Sequence, residues 1–435
     1  MDHLKKQPIF GKIDDPTTHP FNLPKFGAIP LPKPSQKHAS ESGKAQIDDL
    51  VSLQEHLQTA MMVELSTIPM YLYAMYSVDV SGTPDEQTQN AQQFTFSVLR
   101  EEMLHLILAG NVLKATGASP KLYLAPHWPT YPMDIAGHSG SLVLNLQSLD
   151  LQQLECFLAV EAPTTQGAPL EPDNYDTLGQ FYEAIQDALI RLRPHYTNYE
   201  YQFAPSDNVF NTDPYGRGGI VVAEDNGSAL SALQIIIDQG EGFNETQFEN
   251  PPGSLANADK GWVMTLAHYY KFKSIYDTKP LPKIYPNLLN PTSNTYKDPN
   301  IALTSYWVDS VYCFFLLVIE QTWQASRDTA PTERQQLLNM YFTIMISIIK
   351  PVATWLAQQP VPEQPGKNAG AAFNFYDFRV AYKTDPHMTP LKQVKHQADL
   401  AIQSFPTAGK TVPQVLVDAN SQCMNLTELP FPWQD

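Results

Sequence analysis

Between Gln58 and Met70 the chain carries one charged side chain, Glu64, among Met61, Met62, Val63, Leu65 and Ile68. Leu50, Leu53, Leu57, Met61, Leu65 and Ile68 recur at three- and four-residue steps, which predicts an amphipathic helix over 47–78. A carboxylate on the apolar part of such a helix is costly unless a strong partner meets it, so the fold has to bring one. Pro69 follows one turn later and removes a backbone donor, predicting a kink or bulge beside Glu64.

A second helix is expected over 85–116, ended by Gly117 and Pro120. It holds Glu102-Met103-Leu104-His105, and side chains at i and i+3 share a face, so Glu102 and His105 can bind one metal ion. Leu99, Met103, Leu106, Ile107 and Leu108 put that pair in apolar surroundings, where an unpaired charge would be expensive. Further helices are expected over 177–193, with Glu183 between Phe181 and Ile185, and over 228–240, breaking at Gly240-Glu241-Gly242. Residues 119–174 read as a long crossover with a β-like run at Ser141–Leu146.

A pair of iron or manganese ions in a four-helix bundle takes one Glu from each of two helices and a Glu-x-x-His from each of the other two. Glu64 and Glu183 fit the single-Glu role, and Glu102 with His105 the paired role. The fourth helix departs from the pattern, since Asn244 stands three after Glu241. If residues 243–258 loop out and helix resumes at 259–275, His268 supplies the missing imidazole; the other reading is a core histidine beside Tyr269 and Tyr270. The general arrangement makes Glu102 and Glu241 bridging, Glu64 and Glu183 terminal, and gives His105 and His268 one metal each. Tyr71, seven residues past Glu64, either hydrogen-bonds a ligand or is ordinary core. Asp238 is an outer partner for a histidine or a solvated acid, Glu161 reads as structural, and His127 and His138 as loop residues.

Six blocks carry a family resemblance: Glu64-Leu65-Ser66-Thr67-Ile68-Pro69-Met70-Tyr71-Leu72, Arg100-Glu101-Glu102-Met103-Leu104-His105, Phe157-Leu158-Ala159-Val160-Glu161-Ala162-Pro163, Gly179-Gln180-Phe181-Tyr182-Glu183-Ala184-Ile185, Gln239-Gly240-Glu241-Gly242 and His268-Tyr269-Tyr270-Lys271-Phe272. In sequence and order they resemble the ferritin-like domain of the iminophenylpyruvate dimer synthase family, over about 46–277. The resemblance implies an all-α, ferritin-like four-helix bundle. Family members act in violacein- and indolocarbazole-type pathways, coupling two tryptophan-derived imines, in much longer chains.

The remainder divides into a Pro-rich arm over 1–45, a linker over 278–300 and a C-terminal helical hairpin and tail over 301–435, with helices at 301–326, 332–358 and 391–405. The aromatic helix from Tyr306 to Trp323 reads as core. A net charge of −17 argues against a nucleic-acid partner. Three widely spaced cysteines and an N-terminus without an apolar stretch suggest a cytoplasmic setting. No membrane-spanning helix is expected, because the apolar run Val311–Ile319 is short and Lys350 interrupts the next. The expected function is an O2-dependent diiron oxidase or oxygenase acting on a small metabolite, an amino-acid-derived imine included. Its cofactor is two metal ions, iron first and manganese second; oligomerisation is left open. The alternative is a metal-binding or scaffold protein of the same fold without catalysis.

Overall fold

The computed structural model describes residues 28–29, 47–125, 128–135, 143–162, 178–209, 218–240 and 254–428. The Pro-rich arm apart from Ala28–Ile29, His127, His138 and Glu241 lie outside them. Helix α1 (Leu50–Ser77) starts at Asp49, whose carboxylate accepts from Ser52 N, and α2 (Glu86–Ala115) at Asp85, which accepts from Thr88 N. α1 runs through Pro69 unbroken, and the hydroxyl of Ser66 donates to the carbonyl of Val63. Every residue of α1 from His56 to Ser77 is buried, as is every residue of α2 from Glu101 to Ala115. The two lie against each other at the centre of the molecule, so their apolar stripes widen to the whole helix surface. Gly117, at φ +92°, ends α2 in the left-handed conformation that glycine adopts without strain.

The third and fourth places of the bundle are each filled by two shorter helices. α4 (Leu178–Leu192) packs on α1 and on α5 (Asn226–Gln239), which in turn packs on α2. Further along, α7 (His268–Asp277) packs on α2 and on α3 (Leu151–Val160), and Tyr71 of α1 meets Phe157 of α3 with ring centroids 4.8 Å apart. The expected break after Gly240 is present, with the short α6 (Lys260–Met264) preceding α7. The crossover is corrected: α3 lies within the stretch read as 119–174, and it occupies half of the place given to 177–193 alone. The β-like run becomes β3 (Val143–Leu144), antiparallel to β2 (Met133–Ile135), which pairs in parallel with β1 (Ala28–Ile29).

C-terminal helices buttress this bundle. α8 (Pro299–Thr322) packs on α9 (Pro331–Phe342), on a π-helical stretch (Thr343–Ile349) and on α10 (Lys350–Ala357), giving the expected hairpin with a widened turn in its second arm just before Pro351. α12 (Pro390–Thr407) also lies on α8, while α11 (Phe378–Thr384) and α13 (Gln414–Met424) were not anticipated. Trp307, Tyr312, Phe314, Phe315 and Trp323 are core, and one hydrophobic cluster runs from Ile47 to Leu426. Gly110 of α2 is required where Trp323 crosses it, because a Cβ there would stand 2.2 Å from the indole ring. Trp323 Nε1 donates to Asn111 Oδ1 at 3.0 Å, and Glu320 accepts from the backbone of Leu122 and Tyr123.

By length and composition, Pro299–Thr322 and Pro331–Ala357 could each cross a membrane, where none was expected from the sequence. Helix formation extends the apolar runs past the residues that interrupt them. Their most apolar windows are 83% and 61% buried inside the molecule, and core helices carry the same signature.

Arg334 ties the hairpin to the crossover after α4. Its guanidinium lies 2.6 Å from Asp207 Oδ2 and donates to the carbonyls of Gln202, Thr322 and Ala325, with both side chains of the ion pair buried. Arg334→Met takes the cation from Asp207 and the side-chain donor from the carbonyls of Thr322 and Ala325, while Gln202 O keeps Arg327 and Asp207 keeps Ala204 N, so the folded state should lose about 2–4 kcal/mol. Chemical denaturation measures this, and a loss below about 1 kcal/mol would mean the clamp is not structural.

Candidate metal centre

Four stretches of sequence deliver buried side chains to one level of the bundle. α1 supplies Glu64, Thr67 and Tyr71; α2 supplies Glu101, Glu102 and His105; Glu161 caps the C-terminal end of α3; and α7 begins at His268, with Lys271 one turn on. Gln239, the last residue of α5, and Tyr182, in the first turns of α4, reach the same cluster.

Ligand atoms of Glu64, Glu102 and His105 all lie within 4.8 Å of one another, and so do those of Glu102, Glu161 and His268. Glu102 belongs to both groups and stands between them. His105 Nδ1 is 3.4 Å from Glu64 Oε2 and 3.8 Å from Glu102 Oε1. His268 Nδ1 is 3.0 Å from Glu102 Oε1 and 3.3 Å from Glu161 Oε2, while its Nε2 is 2.8 Å from Glu101 Oε2. Both buried ring nitrogens of His268 thus face carboxylate oxygens, without a well-directed hydrogen bond on either edge. The two imidazoles stack with centroids 5.5 Å apart and planes at 22°.

Hydroxyls fix the carboxylates from outside. Tyr182 donates to Glu64, Tyr71 to Glu161 and Thr67 to Glu102. Burial, then the charges of Glu161 and Glu102, push the Tyr71 hydroxyl far above the usual tyrosine range, so it remains a donor. Glu101 is held by Lys271, whose Nζ lies 2.7 Å from each of its oxygens. Burial would raise the Glu101 pKa, but the Lys271 charge and His268 overcome it and bring it down to about 2.

The described residues thus enclose the carboxylates Glu64, Glu101, Glu102 and Glu161 with Lys271 as the one permanent cation, an excess of three negative charges in a water-poor interior. In the metal-free site protons answer part of this excess. Burial would lower the pKa of each histidine, but contact with Glu64, then the Glu64 and Glu102 charges, raises that of His105. Glu161, Glu101 and Glu102 raise that of His268 much further. Oxygen and imidazole donors in two groups sharing one carboxylate, with the buried His268 Nδ1 facing Glu102 and Glu161 and lacking a well-directed hydrogen bond, fit two divalent cations of the iron and manganese type.

Of the six ligands expected from the sequence, the structure brings together Glu64, Glu102, His105 and His268. Glu183 is not among them. It is exposed on the outer side of α4, while its neighbour Tyr182 donates to Glu64, and the carboxylate that joins the cluster in its stead is Glu161. Glu241 lies outside the described residues; Gly240 before it sits against His105, with a Cβ position 3.7 Å from the imidazole Cε1. Asp238 is exposed and accepts from Gln234, which makes it the solvated acid. Sequence reasoning missed Glu161, Glu101 and Lys271. The available signals were Glu161 inside a block of family-like residues, and a lysine three residues after His268 in an apolar run, which demands a buried acid.

The ferritin-like family matches this chain over residues 57–277. Dichlorochromopyrrolate synthase of Lentzea aerocolonigenes is 22% identical over 409 residues, covering 79% of this chain and 37% of that protein, so the chain spans little more than a third of that relative's length. The crystal structure of a ferritin-like protein from Caulobacter vibrioides is 21% identical, covers 69% of this chain and 95% of its own, and superposes with a TM-score of 0.49. The chain belongs to the ferritin-like family.

Proposed function

We propose that the protein is an O2-dependent oxidoreductase that holds two metal ions, iron first and manganese second, and oxidises a small amino-acid-derived metabolite. The observation that carries this is Glu102, buried and shared by two sets of ligands. Glu64 and His105 would hold one ion, Glu161 and His268 the other, with Glu102 between; Glu241, next to Gly240 at His105, is the remaining expected ligand. Two ferrous ions in such a site supply two electrons together to O2.

The chain's own groups prepare the site. Tyr182, Tyr71 and Thr67 restrict the carboxylates, and the aromatic contacts of Tyr71 with Phe157 and Phe272 wall off one side. A biosynthetic synthase among the relatives supports the substrate class, and an imine of amino-acid origin is the member favoured by the sequence resemblance. The unpaired cysteines Cys156, Cys313 and Cys423 support a reducing, cytoplasmic setting. We take residues 46–277 as the metal-binding unit and 301–435 as its buttress.

Anaerobic reconstitution of the metal-free protein with ferrous iron should load about two ions per chain, and admitting O2 should consume gas in proportion to the iron bound. Less than one ion per chain, or loading without O2 uptake, would leave the non-catalytic scaffold or metal-binding reading in its place.

A further inference from the structure

Resting on the dinuclear reading, we propose that the two metal positions are unequal by construction: Glu101, fixed by Lys271, makes the His268 half the tighter site, and Gln239 leaves the His105 half the weaker. Each imidazole turns Nδ1 toward the shared carboxylate cluster, and among the described residues each half has one carboxylate of its own plus Glu102. What stands behind the rings differs. His105 Nε2 lies 2.9 Å from Gln239 Oε1, a neutral amide oxygen. His268 Nε2 lies 2.8 Å from Glu101 Oε2, a carboxylate. A negative charge behind an imidazole enriches the opposite nitrogen and strengthens it as a ligand, an electrostatic effect that acts even off the line of the ring N–H.

α2 grips both edges of the His268 ring with adjacent residues, Glu102 at Nδ1 and Glu101 at Nε2. Glu101 is kept from turning inward as a ligand because Lys271 Nζ spans both of its oxygens and also reaches Ser97 Oγ at 3.0 Å. His268 and Lys271 share one face of α7 at i and i+3, so the imidazole and the cation that steadies its partner arrive together. Lys271, wholly buried, is thus a positioning residue that acts through Glu101.

The test is calorimetric and visible-absorption titration of the full metal-free chain with cobalt(II). The natural sequence should take two ions in events separated by about 10–100-fold in affinity, the range an outer hydrogen-bond partner commands. Replacing the pair together, Glu101→Gln with Lys271→Met, leaves no lone buried charge and should bring the events within about threefold while still binding two ions. Gln239→Glu should strengthen the weaker event about 10–100-fold, and it carries the test alone if the double variant fails to fold. Events that coincide in the natural sequence, a double variant that keeps the separation, or a Gln239→Glu protein that binds as before would each overturn the inference while the dinuclear reading stands. Uptake of less than one cobalt by the natural sequence would remove both.

Discussion

Glu102→Gln should empty both metal positions at once. Glu102 is the only described side chain that belongs to both ligand groups, so its loss leaves Glu64 with His105 on one side and Glu161 with His268 on the other. Halves that have lost the carboxylate they share hold divalent ions poorly against water. Metal analysis after reconstitution should fall from about two ions per chain to below about a quarter of one, with helical circular dichroism retained. Glu64→Gln or Glu161→Gln should cost about one ion each, and Glu183→Ala none, because that carboxylate is in solvent. The metal-free Glu102→Gln protein should be no less stable than its parent, since one uncompensated buried charge disappears and Thr67 can still donate to the amide oxygen. A variant that retains a full ion would place the bridge elsewhere.

The long helices were legible because their apolar spacing and their stop signals agree: Leu53 through Ile68 for α1, Asp85 and Gly117 as the ends of α2. His268 was legible because Gly240 marks the end of one helix and a helical pattern resumes after Asp259. Glu161 was not, since α3 is only 10 residues long and sits among prolines and β-like residues that hide its period. The stronger pattern of α4 drew attention to Glu183, yet that residue is two past Phe181, about 200° around the helix from the buried face. Tyr182, one step from Phe181, was the residue to choose. The Glu101–Lys271 pair joins positions 170 residues apart, and periodicity carries no information about such a contact.

Metal uptake should expel protons, and steeply. In the metal-free site the carboxylates around His105 and His268 raise both imidazoles above the ordinary histidine value, so near neutral pH the proton is a competitor for each Nδ1. Metal binds the unprotonated ring, so apparent affinity should fall about tenfold per pH unit for each proton displaced below those raised values, and level off above them. The stability of the metal-free fold has the opposite slope. A raised folded pKa stabilises fully below the unfolded value and the contribution fades as pH climbs through the folded value, so metal-free protein should melt progressively lower on the alkaline side. Glu101, depressed to about 2, adds stability above the ordinary carboxylate range that is lost only as pH falls toward that value, which sets the acid limit. Loaded protein should escape the alkaline decline because cations replace the protons between the same carboxylates. Calorimetry in buffers of different ionisation enthalpy counts the protons released, and melting curves with and without metal test the crossing slopes. Uptake without proton release, or a metal-free fold that gains stability with rising pH through the neutral range, would mean that the two histidines do not carry the buried charge.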